Sequence, residues 1–123
     1  MQAPLLWSAA ALAVLTFAVH TFVGGVFVAR PLLADTGLPK ASKWLNYYCW
    51  HIATVTILAI AGAFAWSAAR GSAELAAFAT LLTASVAGLS GAVALKAGIN
   101  PLRFPSTSLF TATAACGALG LLT

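Results

Sequence analysis

Four long runs of apolar residues, separated by short polar segments, make up most of this chain. The runs cover about residues 5–28, 45–68, 73–95 and 106–122. A helix needs roughly 20 residues to cross the hydrocarbon core of a bilayer, so these lengths suit membrane spans. Helices are predicted rather than strands, because an open sheet leaves backbone groups unpaired in lipid and a closed barrel needs at least about eight strands.

The polar segments carry residues that end and begin helices. The Arg30-Pro31 step is predicted to end the first span, and Arg70-Gly71-Ser72 is predicted to be a short turn. Ser106 directly follows Pro105 and is predicted to cap the last helix. The expected fold is therefore an all-α membrane protein of one domain, with four transmembrane helices forming a bundle of two hairpins.

Composition agrees with a lipid environment. Of the 123 residues, 62% are hydrophobic and 7% are charged, whereas soluble domains carry about 25% charged residues. A soluble chain of this size could not bury so much apolar surface. The net charge of +4 does not indicate nucleic-acid binding, because the basic residues stand singly at the ends of the apolar runs. We expect the lipid bilayer as the main partner and no nucleic acid.

The distribution of basic residues predicts the orientation. The first and third polar segments carry five of them, Arg30, Lys40, Lys43, Lys96 and Arg103. Basic residues stay on the cytoplasmic side and can contact lipid headgroups, so both termini are expected outside. The N-terminus has no basic region before its apolar run, which favours a retained span over a cleaved signal peptide.

Two histidines, His20 and His51, lie inside the first and second runs. An ionisable residue within a membrane span is a candidate for a functional site. His20 precedes Arg30 by ten residues and His51 follows Lys43 by eight, so both imidazoles are expected at similar depth on antiparallel helices. We expect them to face each other or a shared ligand.

The neighbours of the histidines suit such a site. Gly24 lies one turn from His20 and permits close approach of a helix or a planar ligand. Tyr47 and Thr54 lie one turn from His51, and hydroxyls can orient an imidazole by bonding its second nitrogen. Cys49 points about 160° away from His51 on a helix and is not expected to share a metal ion with it.

Four roles of the histidine pair remain open. The pair can ligate a transition metal ion, or it can supply the axial ligands of a haem. It can handle protons or bind a small ligand, since histidine titrates near neutral pH. Alternatively, each imidazole bonds a carbonyl or hydroxyl and holds the helices together. No cofactor is the default expectation.

Small residues recur at four-residue spacing in the third and fourth runs, a pattern that lets helices pack closely. They are Ala84, Gly88 and Ala92 in one run and Ala112, Cys116 and Gly120 in the other. The packing can be within the chain or with a homo-oligomer or larger membrane complex. No span contains Asp or Glu, and no P-loop, nucleophile elbow or zinc-protease motif is present. We assign no catalytic residues and do not expect enzymatic activity.

The segments HTFVGG, ARPLL and WHIAT, within about residues 17–55, resemble those of small uncharacterised bacterial four-span inner-membrane proteins. In these proteins a histidine in span one precedes small residues, and a Trp-His pair opens span two. The resemblance implies a multi-pass protein of the bacterial inner (plasma) membrane. The leading interpretation is a binding or accessory subunit with a buried two-histidine site in the cytoplasmic leaflet. Alternatives are a redox protein holding haem or a metal ion, and a small oligomeric transporter or channel.

Overall fold

A computed structural model describes residues 1–123, and almost all of them are helical. The helices are α1 (Ala3–Ala34), α2 (Lys40–Arg70), α3 (Ala73–Lys96) and α4 (Pro105–Leu122). A single 3₁₀ turn, Pro101–Arg103, precedes α4. All four helices are long and apolar enough to cross a membrane. The prediction of an all-α chain with four candidate spans is therefore confirmed.

Helix α1 continues through the Arg30-Pro31 step, so the prediction that it ends there is wrong. Two π-helical turns, Val19–Val23 and Gly25–Ala29, precede a final α-helical turn. In a regular helix, proline lacks a needed N–H and clashes with the carbonyl four residues earlier. Here Pro31 stands in the first α-helical turn after the π-helical segment, and Arg30 before it donates its N–H to the Gly25 carbonyl. The helix thus reaches Ala34 and leaves a short loop.

The loop ends are held by local hydrogen bonds. The Asp35 carboxylate accepts from the backbone N–H groups of Gly37 and Leu38, at 2.7 and 2.9 Å. The ammonium of Lys43 in α2 donates to the Leu33 carbonyl at the end of α1. At the other end of α2, Gly71 adopts a left-handed conformation (φ 72°) and donates to the Ser67 carbonyl. The predicted turn after Arg70 is therefore confirmed.

The packed core lies toward the end of the bundle that holds both termini. Helix α1 packs against α2 and α4, and α3 packs mainly against α4, so α2 and α3 touch less extensively. The core residues are Leu6, Ala9, Ala10, Ala13, Ile57, Ile60, Ala61, Phe64, Ala76, Ala79, Ala87 and Phe110. The Gln2 N–H donates to the Gly120 carbonyl at 2.8 Å and ties the termini together. The opposite end is packed less tightly.

The two small-residue patterns face different surroundings. In α4 the pattern turns inward: Gly120 is buried, and a Cβ there would lie 3.0 Å from the Leu6 side chain. In α3 all three small residues, Ala84, Gly88 and Ala92, are exposed. The α4 pattern therefore serves packing within the chain, whereas association of α3 with another subunit stays a prediction.

Candidate ligand-binding site

His20 lies in the π-helical part of α1 and is held by one turn of α2. Its imidazole stacks on the indole of Trp50, with ring centroids 3.9 Å apart and 19° between the planes. Its Nε2 lies 3.2 Å from the Trp50 carbonyl oxygen and 3.1 Å from Thr54 Oγ1. The Thr54 hydroxyl donates to the same carbonyl. Single π-helical turns are frequent at functional sites, and here they present the His20 side chain to α2.

The hydrogen bond to the Trp50 carbonyl selects the tautomer of His20 with the proton on Nε2; with the opposite tautomer only the Thr54 bond would remain, with that hydroxyl donating to Nε2. A carbonyl oxygen can only accept, so Nε2 is the donor, and a neutral imidazole then has no proton on Nδ1. No group of the chain bonds Nδ1; both hydrogen bonds of the ring use Nε2. Its lone pair is therefore free to accept from a hydroxyl or N–H, to take up a proton or to ligate a metal ion.

Gly24 makes the stacked arrangement possible. A Cβ at this position would overlap Cη2 of Trp50 and lie 3.2 Å from its Cζ2. At the adjacent Gly25, a Cβ would meet nothing within 4 Å. Close packing against the indole thus requires glycine at position 24, whereas the space at position 25 accommodates a methyl group.

Two apolar cavities adjoin His20, with volumes of about 420 and 380 Å³. The first lies between α2 and α3, and the second lies between α1 and the beginning of α4. Residues that line both are His20, Ile57, Phe104, Ser106 and Phe110. Sites for small molecules have volumes of about 300–1,000 Å³ and mostly apolar walls with a few polar groups. Both cavities fit that description.

Three hydroxyls form a cluster, and two of them belong to residues on the wall of the first cavity. Ser90 Oγ lies 2.7 Å from Ser106 Oγ and 2.9 Å from Thr107 Oγ1. Three hydroxyls carry three protons but form only two mutual bonds, so one O–H has no acceptor within the cluster. Ser90 and Ser106 line the cavity together with His20. The cavity wall therefore carries the imidazole of His20 and the hydroxyls of Ser90 and Ser106.

The prediction that Ser106 caps α4 is wrong. The residue at the N-cap is Phe104, Pro105 is the first residue of the helix, and no side chain caps it. Proline suits that first position because its missing N–H would have no partner there. Ser106 lies within the first turn, and its hydroxyl bonds Ser90 of α3 instead.

The other residues predicted for the site fall into two groups. His20, Gly24 and Thr54 come together around Trp50, as described. His51 is exposed, and its ring packs edge-on against Tyr47, with centroids 4.6 Å apart. Neither of these two lines either of the two cavities beside His20.

Cys49 lines the first cavity with His20. Its place on the cavity wall, away from the face of His51, follows the angular separation expected on a helix. No three His, Cys, Asp or Glu side chains come close enough to hold a metal ion.

The five basic residues predicted to contact headgroups belong to one end of the bundle. They are Arg30 near the end of α1, Lys40 and Lys43 at the start of α2, Lys96 at the end of α3, and Arg103 before α4. The cavities lie in the same half of the bundle, next to these residues.

Comparison with known proteins finds no matching family, no similar curated protein and no similar solved structure.

Proposed function

We propose that this chain is a small membrane-embedded binding protein whose cavities beside His20 take a lipid-soluble ligand with a hydrogen-bonding head group. One observation carries the proposal: His20 is fixed through Nε2 by Trp50 and Thr54, while Nδ1 has no partner in the chain. Nδ1 is not among the polar atoms that the chain buries without a partner, so surrounding molecules can reach it, and in a membrane a polar atom without a partner is costly. A ligand hydroxyl or N–H supplies that partner.

The cavities distinguish this role from simple attachment of α1 to α2. A histidine that only joined two helices would need no ligand-sized cavity next to it that is open at the surface of the bundle. Here two spaces of ligand size adjoin the ring, and their walls are almost entirely apolar. A lipid-soluble molecule suits such walls, because its apolar part stays out of water both in the bilayer and in the cavity.

The proposed setting is the bacterial inner membrane, with both termini outside the cytoplasm. The five basic residues lie at the end of the bundle where α1 connects to α2 and α3 connects to α4. They support this orientation, since cytoplasmic loops carry an excess of Lys and Arg. At the other end, Arg70 is accompanied by Glu74 and stacks on Trp66, 5.2 Å from its ring centroid. In this orientation the cavities lie in the cytoplasmic leaflet. Ligand binding there suits an accessory subunit of a membrane complex.

Native mass spectrometry of gently extracted protein tests the proposal. We expect a bound small molecule on the wild-type chain. Ala53→Phe fills the first cavity and should remove that molecule. Ala59→Phe is the control, because Ala59 is exposed on the same helix and lines neither cavity. A wild-type chain without any bound molecule, or equal occupancy in Ala53→Phe, would contradict the proposal.

The same sample tests the redox alternative that the two histidines suggest. Absorption spectroscopy and metal analysis detect haem or a metal ion directly. A Soret band that is lost in both His20→Ala and His51→Ala would favour shared haem ligation and replace the proposal. Our proposal predicts instead that His51→Ala leaves the bound molecule in place.

A further inference from the structure

We propose that the ligand is a quinol, a molecule with two hydroxyls on opposite sides of one aromatic ring and an apolar tail. This inference rests on the proposed function and names its ligand class. Two polar positions lie on the wall of the first cavity. One is His20 on α1, and the other is the cluster of Ser90 and Ser106 between α3 and α4. The rest of the lining is dominated by aliphatic and aromatic side chains.

The two polar positions have complementary requirements. Nδ1 of His20 needs a donor, because its lone pair has no partner. The hydroxyl cluster needs an acceptor, because one of its three protons has none. A hydroxyl both donates and accepts. A ligand with one hydroxyl at each position therefore satisfies both, whereas a ligand with two carbonyls satisfies only the serine side.

The lining favours an aromatic ring as the frame that separates the two hydroxyls. Phe104 and Phe110 border both cavities, and the stacked rings of His20 and Trp50 form part of the second. Aromatic rings prefer such partners, and offset or edge contacts add about 0.5–1.5 kcal/mol to the burial of their area. A rigid ring also loses less conformational entropy on binding than a flexible glycerol unit carrying the same two hydroxyls.

The second cavity provides a path for the tail. Val23, Phe27 and Val28 line it and are exposed on the outer surface of α1, with 76% of the Phe27 side chain accessible. In a bilayer these side chains contact lipid chains. A tail leaving the site along them stays in apolar surroundings throughout, and a ligand enters from the membrane rather than from water.

Binding measurements on wild-type protein in nanodiscs of synthetic, quinone-free lipid test the assignment. The ligands are a decyl-tailed benzoquinol under anaerobic reducing conditions, the corresponding quinone, and the quinol dimethyl ether. The quinone cannot donate to Nδ1, and we expect the loss of that hydrogen bond to weaken its binding about tenfold relative to the quinol. The dimethyl ether has no donor and should bind at least as weakly as the quinone. Equal affinity for quinol and ether would overturn the assignment without requiring any variant to fold.

Matched variants locate the two contacts. His20→Leu should abolish the preference for quinol over quinone, and Ser90→Ala should weaken both ligands. Ser85→Ala is the control, since its hydroxyl is exposed on the same helix and bonds the Leu81 carbonyl. An unchanged preference in His20→Leu would overturn the inference.

The outcomes separate this inference from the proposed function. Tight binding of oleic acid or monoolein without binding of the quinol overturns the quinol assignment and leaves a lipid-binding site beside His20. Failure of all these ligands, together with the absence of any bound molecule from native membranes, overturns both.

Discussion

His20 and Trp50 are joined twice, once through their stacked rings and once through the hydrogen bond from Nε2 to the Trp50 carbonyl. The first contact fixes the plane of the imidazole, and the second fixes its proton on Nε2. Together they leave Nδ1 as the free atom of the ring. The position of the indole, and therefore the chemistry of the imidazole, depends on the space at Gly24.

Substitution of Gly24 should displace the indole. We expect Gly24→Ala to destabilise the protein by about 1–3 kcal/mol, the usual effect of overpacking, because its Cβ would overlap the ring. Gly25→Ala is the matched control and should be neutral or stabilising by up to about 1 kcal/mol, since alanine favours helices and the site is open. Unfolding in mixed micelles, followed by circular dichroism, checks both. Equal destabilisation by the two changes would contradict this packing.

The two histidines should differ in their effect on stability. His20→Ala removes a stacked ring and its hydrogen bonds, and we expect a loss of about 1–3 kcal/mol. His51→Ala removes an exposed ring and should change the free energy of unfolding by less than about 0.5 kcal/mol. The same unfolding assay measures both values. A larger effect of His51→Ala than of His20→Ala would show that the structural roles are reversed.

Removal of one buried hydroxyl should stabilise the chain. Ser67 is completely buried in α2, and its Oγ has no hydrogen-bond partner. Ser67→Ala removes an unsatisfied polar atom, and we expect a gain of about 1 kcal/mol. Thr113→Val is the comparison, because the buried Thr113 hydroxyl bonds the Leu109 carbonyl, and its loss should not stabilise. A destabilised Ser67→Ala protein would indicate a partner for that hydroxyl.

Reporter fusions test the proposed orientation. Alkaline phosphatase is active only outside the cytoplasm, so we expect activity when it follows Thr123. Fusion after Gly98, in the segment between α3 and α4, should be inactive. A green fluorescent protein series at the same two positions should give the opposite pattern. Inverted activities would place the end of the bundle with the five basic residues outside the cytoplasm and contradict the proposed topology.

The sequence was sufficient to predict the four helices, because long apolar runs and the Arg70-Gly71 stop are local signals. The π-helical turns were not predictable in the same way. They lie in the part of α1 that contacts Trp50 and precedes Pro31, and the helix continues to Ala34. No local pattern in the sequence marks these turns.

The site was predicted only in part for a related reason. A polar residue in an apolar run stands out, so His20 could be selected, and Thr54 was predicted to be near His51 rather than His20. Which face of α2 meets α1 depends on packing at Gly24, and that packing directs Trp50 toward His20. His51 follows Trp50 at about 100° around the helix, and its exposed ring packs against Tyr47 instead.

Ser90 and Ser106 were missed as site residues because their pairing joins two helices across 16 positions. Next to Pro105, Ser106 also matched the simpler pattern of a helix cap.

The state of His20 Nδ1 is the most direct test of the central claim. Nitrogen-15 NMR of histidine-labelled His51→Gln protein in bilayers observes His20 alone, because the chain has two histidines. We predict a protonated Nε2 and an unprotonated Nδ1, with an Nδ1 resonance that differs between protein carrying its native ligand and delipidated protein. A protonated Nδ1, or identical Nδ1 resonances in the two samples, would contradict the account.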